Sequence, residues 1–191
     1  MKTSVWSERD TRLRRWGILA AAIITLLAVL SGPSAAQKKA QNHTATFEQT
    51  YMRNMMDLNA SGMLIAQMAQ RKAVHRDLRN LAQGMILSQK NENQQLRTWL
   101  ASWYGVKRQS QIRPQDRQML NTLRNLSGKE FETRCLTYMI NHENEAVTMS
   151  RQALQRAEHR DLRNFAQKVI NERNGNLTKM HNWQRTWYSS R

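Results

Sequence analysis

The chain of 191 residues contains a single cysteine, Cys135. An intramolecular disulfide is therefore excluded, although exported proteins usually pair their thiols. Two roles remain for this side chain: it is an apolar filler of the core, or it is a soft ligand for a metal ion. The single thiol thus excludes an internal disulfide, but the sequence does not decide between these two roles.

Several motifs of enzymes and cofactor-binding proteins are also missing. The sequence has no glycine-rich phosphate loop and no Gly-x-Ser-x-Gly elbow. It has no Glu-x-x-His, which di-iron centres in helical bundles require. Cys135 has His142 seven residues further along, but this pair on one helix face lacks an oxyanion site. These absences favour a protein that is not an enzyme.

Acidic residues are scarce: the chain has 14 of them against 30 basic residues, which gives a net charge of +16. The first 36 residues carry five basic and two acidic side chains, so the remainder has a charge of +13. A basic exported protein is attracted to polyanions such as anionic lipids, acidic envelope polymers or nucleic acid. The basic residues are scattered rather than clustered in one run, which favours a solvated surface over a specific nucleic-acid site.

The one long hydrophobic run lies near the N-terminus. A charged start leads into apolar residues 16–30, and the small residues Ser34-Ala35-Ala36 follow. This is the three-part pattern of a secretory signal peptide, with cleavage expected after Ala36. The run of about 15 residues is shorter than the ~20 that span a bilayer. We expect residues 1–36 to direct export to the periplasm; an uncleaved N-terminal anchor is the alternative. No other stretch of sequence could span a membrane.

The sequence repeats itself 84 residues apart, because residues 47–104 align without a gap on residues 131–188. The landmarks that coincide are Phe47-Glu48 with Phe131-Glu132, His75-Arg76-Asp77-Leu78-Arg79-Asn80 with His159-Arg160-Asp161-Leu162-Arg163-Asn164, and Trp99-x-x-x-Trp103-Tyr104 with Trp183-x-x-x-Trp187-Tyr188. A repeat sets the architecture, and two copies are too few for a solenoid. We expect two equivalent helical hairpins in one domain.

Apolar residues recur at helical spacing through both hairpins, and strand-like alternation is absent. The pattern predicts an all-α, four-helix up-and-down bundle over residues 46–191, preceded by a disordered linker at residues 37–45. Repeat 1 covers residues 47–104, a crossover with a short extra helix covers residues 105–126, and repeat 2 covers residues 127–188.

Four local signals set the expected helix ends. Thr46 with Gln49, and Ser127 with Glu130, resemble capping boxes at helix starts. Gly105 is placed to end the second helix. Residue 114 is a proline, which suits the first turn of the short crossover helix. Each Trp-x-x-x-Trp-Tyr is expected to close one end of the core rather than to bind a ligand.

A set of soft ligands lies on the third predicted helix. Cys135, Met139 and His142 are spaced i, i+4 and i+7, so they share one face. Antiparallel pairing about the turn near residue 159 places Met180 and His181 of the fourth helix at the same level. Thiolate, thioether and imidazole together suit Cu(I) and similar soft ions. Packing is the alternative, because methionine is also a flexible core filler.

One stretch of the second repeat carries a recognisable pattern: Phe131, then Met139-Ile140-Asn141-His142-Glu143-Asn144-Glu145-Ala146-Val147-Thr148-Met149. A second pattern is Leu78…Ala82…Ile86…Gln89…Glu92…Leu96…Trp99, which recurs as Leu162…Ala166…Ile170…Met180…Trp183. Together they resemble the domain-of-unknown-function family 305 (DUF family 305), over about residues 47–188. The resemblance implies an exported, ferritin-like helical bundle, and several such proteins are linked to copper or silver handling in the periplasm. It also implies that Met139, His142, Met149 and Met180 stand at ligand-type positions.

The chain departs from the family pattern at its pair of adjacent histidines. The first repeat has Leu58-Asn59 there, and the second has His142-Glu143. Gln89 and Glu92 of the first repeat correspond to Arg173 and Asn176 in the second.

These departures lead to two expectations about the core. A buried Glu92 needs a partner, and hairpin pairing places Asn59 opposite it, so a polar contact is predicted there. For the metal we predict one degenerate site in the second hairpin, formed by His142, Met139 and Met180, with Cys135 or His181 as the fourth ligand. Met149 lies on the same stripe, nearer the turn.

The leading functional hypothesis is therefore an exported, non-catalytic bundle that binds Cu(I) or a similar soft metal. Three alternatives remain: a bundle without metal that acts as a scaffold, an envelope-stress partner of another protein, and a basic bundle that binds polyanions. The sequence does not indicate an oligomeric state.

Overall fold

The computed structural model describes residues 34–188 of the chain. Those residues form five helices and no strand: α1 is Ala35–Lys72, α2 is Arg76–Tyr104, α3 is Pro114–Asn125, α4 is Gly128–Arg156 and α5 is Arg160–Trp187. The protein is thus an all-α helical bundle over this range. Most of the expected signal peptide lies outside the described residues. Among the helices described, none has the length and apolar character needed to cross a membrane.

The start of α1 differs from the sequence prediction. Helix α1 begins at Ala35, so the residues expected to form a disordered linker, 37–45, are helical. Ser34 and Gln37 form a reciprocal capping box: Gln37 N–H donates to Ser34 Oγ (3.2 Å), and Ser34 N–H donates to Gln37 Oε1 (2.8 Å). The alanine, lysine and glutamine residues that follow are strong helix formers. Thr46 consequently lies inside α1 and is not its N-cap residue.

The other predicted helix ends lie at the expected residues, although one predicted capping box is not formed. Gly105 adopts a left-handed conformation (φ 66°) after α2, and its N–H donates to Ala101 O. Helix α3 starts at its proline. Ser127 is the N-cap residue of α4, but it makes no side-chain cap hydrogen bond, so the predicted capping box with Glu130 is not formed.

Two apolar clusters fill the two halves of the bundle. The first cluster comprises Ile65, Ala66, Met68, Ala69, Ala73, Leu78, Ala82, Met85, Leu120, Leu123, Phe131, Cys135, Leu136, Met139, Ile140, Val147, Leu177 and Met180. The second cluster comprises Tyr51, Met52, Met55, Met56, Leu58, Leu96, Leu100, Ala146, Ala153, Ala157, Leu162, Phe165, Ala166 and Val169. Each of the four long helices contributes residues to both clusters.

A buried polar layer separates the two clusters. It lies at the middle of the four long helices and contains Asn59, Ser61, Gln89, Glu92, Asn93, His142, Glu143, Arg173 and Asn176. The predicted contact between Asn59 and Glu92 is confirmed, since Asn59 Nδ2 donates to Glu92 Oε2 at 2.9 Å. The second hairpin makes the same bond with the residue types exchanged: Asn176 Nδ2 donates to Glu143 Oε2, also at 2.9 Å. Both bonds fix the antiparallel register of a hairpin.

Each hairpin turn is held by a buried glutamate from the other repeat. Glu132 Oε1 accepts the His75 N–H (2.9 Å), and Glu132 Oε2 contacts His75 Nδ1 (2.7 Å). Glu48 makes the equivalent contacts at the other turn: its Oε1 accepts the His159 N–H (3.0 Å) and its Oε2 contacts His159 Nδ1 (2.6 Å). His75 and His159 are the N-cap residues of α2 and α5, so each carboxylate accepts one of the N–H groups that a helix start leaves unpaired.

Aromatic stacks lie beside both turns. Trp187 stacks on His75 with ring centroids 3.8 Å apart, and Trp103 stacks on His159 at 4.0 Å. The tyrosine that ends each Trp-x-x-x-Trp-Tyr motif donates its hydroxyl proton to the buried glutamate of the same turn. The motif therefore closes each end of the core, as the sequence predicted.

Candidate metal centre and polar core

Two sulfur atoms meet in the first apolar cluster. Cys135 Sγ lies 3.7 Å from Met139 Sδ, because the two residues are one turn apart on α4. Both side chains are buried. Burial in apolar surroundings, with Glu132 adding like-charge repulsion, raises the pKa of the Cys135 thiol to about 12. The thiol is therefore protonated at neutral pH.

The separation of the two sulfur atoms suits a shared ion. With metal–sulfur bonds of about 2.3 Å, sulfur atoms 3.7 Å apart subtend an angle of about 107° at the ion, close to the tetrahedral value. Met180 of α5 is fully buried in the same cluster, so a second helix adds a third sulfur atom to it. The cluster offers donors that favour soft ions over hard ones.

His142 lies one turn beyond Met139, at the edge of the polar layer. Its Nε2 is 2.7 Å from Leu58 O, and a carbonyl oxygen can only accept, so Nε2 carries the proton. The other ring nitrogen, Nδ1, has no hydrogen-bond partner in the described part of the chain; it is 3.9 Å from Glu143 Oε1. In the neutral ring Nδ1 is a free lone pair, which is the form that binds a metal.

The imidazole of His142 fits against α1 because that helix has a glycine there. A Cβ atom at Gly62 would lie 2.5 Å from His142 Cε1 and 2.7 Å from Gln89 Oε1. Gln89 is fully buried, and neither amide atom of its side chain has a partner among the described residues. Gly62 thus creates the space in which the side chains of His142 and Gln89 approach α1.

Arg173 is the cation of the polar layer. It is fully buried; its Nη2 donates to Glu92 Oε2 at 2.7 Å and its Nε lies 3.3 Å from Glu143 Oε1. Its Nη1 donates to the half-buried Glu172 at 3.0 Å. Burial alone would lower the pKa of the guanidinium, but Glu143 and Glu92 raise it above its usual value. One arginine therefore neutralises carboxylates from both hairpins.

The crossover brings more charge to the same level of the bundle. Arg113 forms a two-point ion pair with Asp116 (Nε–Oδ2 2.7 Å, Nη2–Oδ1 3.0 Å) and also pairs with Glu145 of α4. Burial of Asp116 opposes its ionisation, but hydrogen bonds from Arg113 and Ser61 bring its pKa below the usual value. These pairs fasten the start of α3 over α1 and α4.

The structure does not bring all predicted ligands together. Cys135, Met139 and Met180 share the first apolar cluster, and His142 adjoins it. Met149 is half-buried against the second cluster, on the other side of the polar layer. His181 is exposed on α5, because it follows the buried Met180 by one residue, a rotation of about 100° around the helix. Met149 and His181 therefore do not complete the set.

Sequence reasoning missed the buried glutamates and the burial of Arg173. Glu48 and Glu132 coincide in the repeat, next to two phenylalanines, so their recurrence at the start of an apolar stripe was an available signal. Arg173 carried no such signal, since its counterpart in the first repeat is the neutral Gln89. Within residues 34–188 no group of three or more His, Cys, Asp or Glu side chains could hold a metal ion.

Two segments of the chain, residues 31–100 and residues 48–184, match the sequence profile of the domain of unknown function DUF305. The chain belongs to the DUF305 family. The resemblance seen in the sequence is thereby confirmed, and the match extends over most of the described residues of this DUF305 protein. No curated protein sequence matches it.

Solved structures share the fold of this DUF305 protein. CopM in its Cu(I)-bound form is 22% identical, with a TM-score of 0.67, and the match covers 74% of this chain and 98% of CopM. A DUF305 protein from Streptomyces coelicolor is 17% identical (TM-score 0.64; 71% and 90% covered). A DUF305 fragment from Deinococcus radiodurans is 22% identical (TM-score 0.64; 72% and 95% covered). CopM structures also exist with Cu(II) and with silver bound.

Proposed function

We propose that this protein is an exported, non-catalytic copper- or silver-binding bundle of the periplasm, which takes up one soft monovalent ion in the first apolar cluster. The observation that carries the proposal is the 3.7 Å approach of Cys135 Sγ to Met139 Sδ in a buried cluster that also holds Met180. The free Nδ1 of His142 is the candidate fourth donor. The binding of copper and silver by CopM supports the choice of ion, and the three-part N-terminal pattern supports export.

We also propose that the four long helices form a ferritin-like bundle of two repeats. Contacts that recur 84 residues apart support it: Glu132 caps His75 as Glu48 caps His159. Residues of equivalent sequence position also meet, since His142 contacts its counterpart Leu58. A contact between counterparts is expected close to an axis that relates two halves of a molecule. The signal peptide ending at Ala36 and the division into two hairpins remain predictions of the same proposal.

Copper uptake should depend on the sulfur atoms of one cluster only. Titrated anaerobically against a chromogenic Cu(I) chelator, the wild type is expected to bind one ion and to gain thermal stability, because a ligand of the folded state shifts the equilibrium toward it. Met139→Leu with Met180→Leu roughly keeps core volume and should abolish uptake. The matched control is Met52→Leu with Met55→Leu, which changes two buried methionines of the second cluster.

The control pair should bind copper as the wild type does. Equal uptake by the wild type and by the Met139/Met180 variant would show that the site lies elsewhere. Zn(II) should bind less well than Cu(I), since it prefers histidine, carboxylate and thiolate to thioether.

The pH dependence of binding identifies the role of the thiol. Since the pKa of Cys135 is raised to about 12, the thiol is protonated in the free protein and has to release a proton to bind as a thiolate. One released proton makes the affinity for Cu(I) rise about tenfold per pH unit between neutral and mildly alkaline pH. A flat profile in that range would show that the thioethers and His142 bind the ion without the Cys135 thiolate.

A second candidate function is a scaffold without metal, and the burial of Arg173 favours it. The guanidinium already balances Glu92 and Glu143 in the middle of the bundle. Such a bundle would act through its surface, with an envelope protein as its partner. The copper titration separates the two functions, because a scaffold would show no uptake that depends on Met139 and Met180.

A further inference from the structure

A cleft of about 500 Å³ lies between α2 and α5, beside one of the two aromatic stacks. Its lining includes the apolar side chains of Leu81 and Trp183, the acidic groups of Asp77 and Glu172, and also Gly84 and Lys179. None of these side chains belongs to the copper site proposed above. The cleft has the size of a small-molecule site.

At the equivalent place in the other repeat, an aromatic side chain fills the space. The position equivalent to Leu81 is Phe165, and the position equivalent to Trp183 is Trp99. The phenyl ring of Phe165 meets Trp99 edge-on, with centroids 5.7 Å apart and planes at 82°. Phe165 is only 9% exposed, so that ring is part of the packed molecule.

The first hairpin has smaller side chains at two positions of this place. Leu81 is shorter than a phenylalanine, and Gly84 stands where the second hairpin has Lys168. A Cβ atom at Gly84 would meet no atom within 4 Å, so the space above it is open. Trp187 is the aromatic partner of Trp183 in the described part of the chain, and no ring lies edge-on to Trp183 as Phe165 does to Trp99.

The charged groups that line the cleft favour a cationic ligand. Two carboxylates and one amine line it, although basic residues outnumber acidic ones by 30 to 14 in the whole chain. Glu172 shares its charge with Arg173, whereas Asp77 makes no ion pair within the described residues. An ammonium group near Asp77 would also be close to an indole, whose face attracts cations.

We infer that this cleft binds a small aromatic ammonium compound. Its ring lies edge-on to Trp183, in the place that Phe165 takes on Trp99, and its ammonium group pairs with Asp77 or Glu172. Edge-to-face contact between rings and a paired charge in a half-enclosed cleft supply the affinity. The inference does not depend on copper binding, because the two sites share no residue.

The probe is 2-phenylethylammonium, added to ¹⁵N-labelled protein and observed by NMR at the Gly84 amide and the Trp183 indole N–H. We expect saturable shifts at these two groups, with a Kd of the order of 1 mM for so small a ligand. Butylammonium, which lacks the ring, and 2-phenylethanol, which lacks the charge, should each bind at least tenfold more weakly. Shifts that do not saturate, or that spread evenly over the surface, would overturn the inference.

A filling variant and a matched control test the geometry. Leu81→Phe places in the cleft the ring that the second hairpin already has, and it should abolish binding while the fold is kept. Leu87→Phe adds the same ring to an exposed position of the same helix and should bind as the wild type does. Undiminished binding by the Leu81 variant would refute the site.

The reverse change provides an independent check. Phe165→Leu should open an equivalent cleft beside Trp99, so that shifts appear at the Trp99 indole N–H as well. Asp77→Asn should weaken the ammonium probe and leave the weak binding of 2-phenylethanol unchanged. If that variant binds the ammonium as tightly as the wild type, and Glu172→Gln does too, the assignment of charge recognition to this cleft is wrong.

Discussion

Arg173 and Gly62 determine much of how the helices pack in the middle of the core. Both act through contacts with residues on other helices. Arg173 joins Glu92 of the first hairpin to Glu143 of the second. Gly62 admits the ring of His142, which donates to Leu58 O across the same interface. Both residues act in the middle of the bundle, where an unpaired polar group has no access to water.

Removal of the buried arginine should destabilise the protein strongly. Arg173→Met leaves two buried carboxylates without their cation, and the loss of one partner of a buried pair costs about 3–5 kcal/mol. Urea unfolding should show this loss, whereas Arg151→Met, at an exposed position of α4, should change stability little. Adding Glu92→Gln and Glu143→Gln to Arg173→Met should recover most of the loss. A single variant as stable as the wild type would contradict the role of Arg173.

A methyl group added at Gly62 should be harmful, although alanine is the better helix former. Gly62→Ala forces His142 or Gln89 to move, and overpacking of this kind costs about 1–3 kcal/mol. Gly175→Ala is the matched control in α5, where a Cβ atom meets nothing within 4 Å, so it should gain up to about 1 kcal/mol from helix propensity. Chemical denaturation measures both. Equal stabilisation by the two changes would contradict the close approach at Gly62.

At the scale of elements, each hairpin depends on the other for the start of its second helix. Helices α2 and α5 begin with N–H groups that need acceptors. Glu132 supplies one for α2 and Glu48 supplies one for α5, each from the helix of the opposite repeat. Arg79 and Arg163 complete the two turns by donating to the carbonyl oxygens of Ala73 and Ala157. The repeated His-Arg-Asp-Leu-Arg motif is thus a turn structure.

Amide hydrogen exchange should detect the hydrogen bonds that each repeat accepts from the helix start of the other. Glu132→Gln weakens the acceptor for the His75 N–H, so exchange should accelerate at the α1–α2 turn and stay unchanged at His159. Glu48→Gln should do the reverse, with faster exchange at Glu158 and His159. The two variants serve as controls for each other. Acceleration confined to the mutated repeat in either case would show that the caps do not act across the hairpins.

At the scale of the whole molecule, Glu48 makes stability sensitive to acid. Burial alone would raise the pKa of Glu48, but hydrogen bonds from Tyr104, His159 and Glu158 bring it below its usual value of 4.5. A carboxyl whose pKa is lower in the folded state contributes stability that is present above the unfolded pKa. That stability is lost as the pH falls through the lower folded pKa.

The contribution of Glu48 to the free energy of unfolding should therefore decline as the pH falls below 4.5. Glu48→Gln should be less stable than the wild type at neutral pH, and its stability should fall less steeply on acidification, because the variant has no Glu48 proton to bind. Urea midpoints measured from neutral to acid pH test this expectation. Glu130→Gln, at an exposed carboxylate of α4, should follow the wild-type profile. Parallel profiles for Glu48→Gln and wild type would refute the linkage.

The sequence by itself determined the all-α class, most of the helix ends, the register of each hairpin and the family. These features can be read without knowledge of the fold. Helical periodicity and the glycine and proline at residues 105 and 114 are local signals, and the repeat is visible in the sequence itself. The contact of Asn59 with Glu92 followed from the hairpin register alone. The sequence pattern places the start of α1 too late, because the structure caps this helix with Ser34 and Gln37 rather than with Thr46.

Only the tertiary structure decided which side chains meet across the hairpins. The contacts of Glu48 with His159 and of Arg173 with Glu92 join residues far apart in sequence, and no periodicity encodes them. The tertiary structure also decided which of the predicted metal ligands lie together. A residue next to a buried one is turned by about 100° on a helix, which placed His181 outside while Met180 stayed inside. The level of the polar layer separated Met149 from Met139, since packing assigns the two ends of one stripe to different clusters.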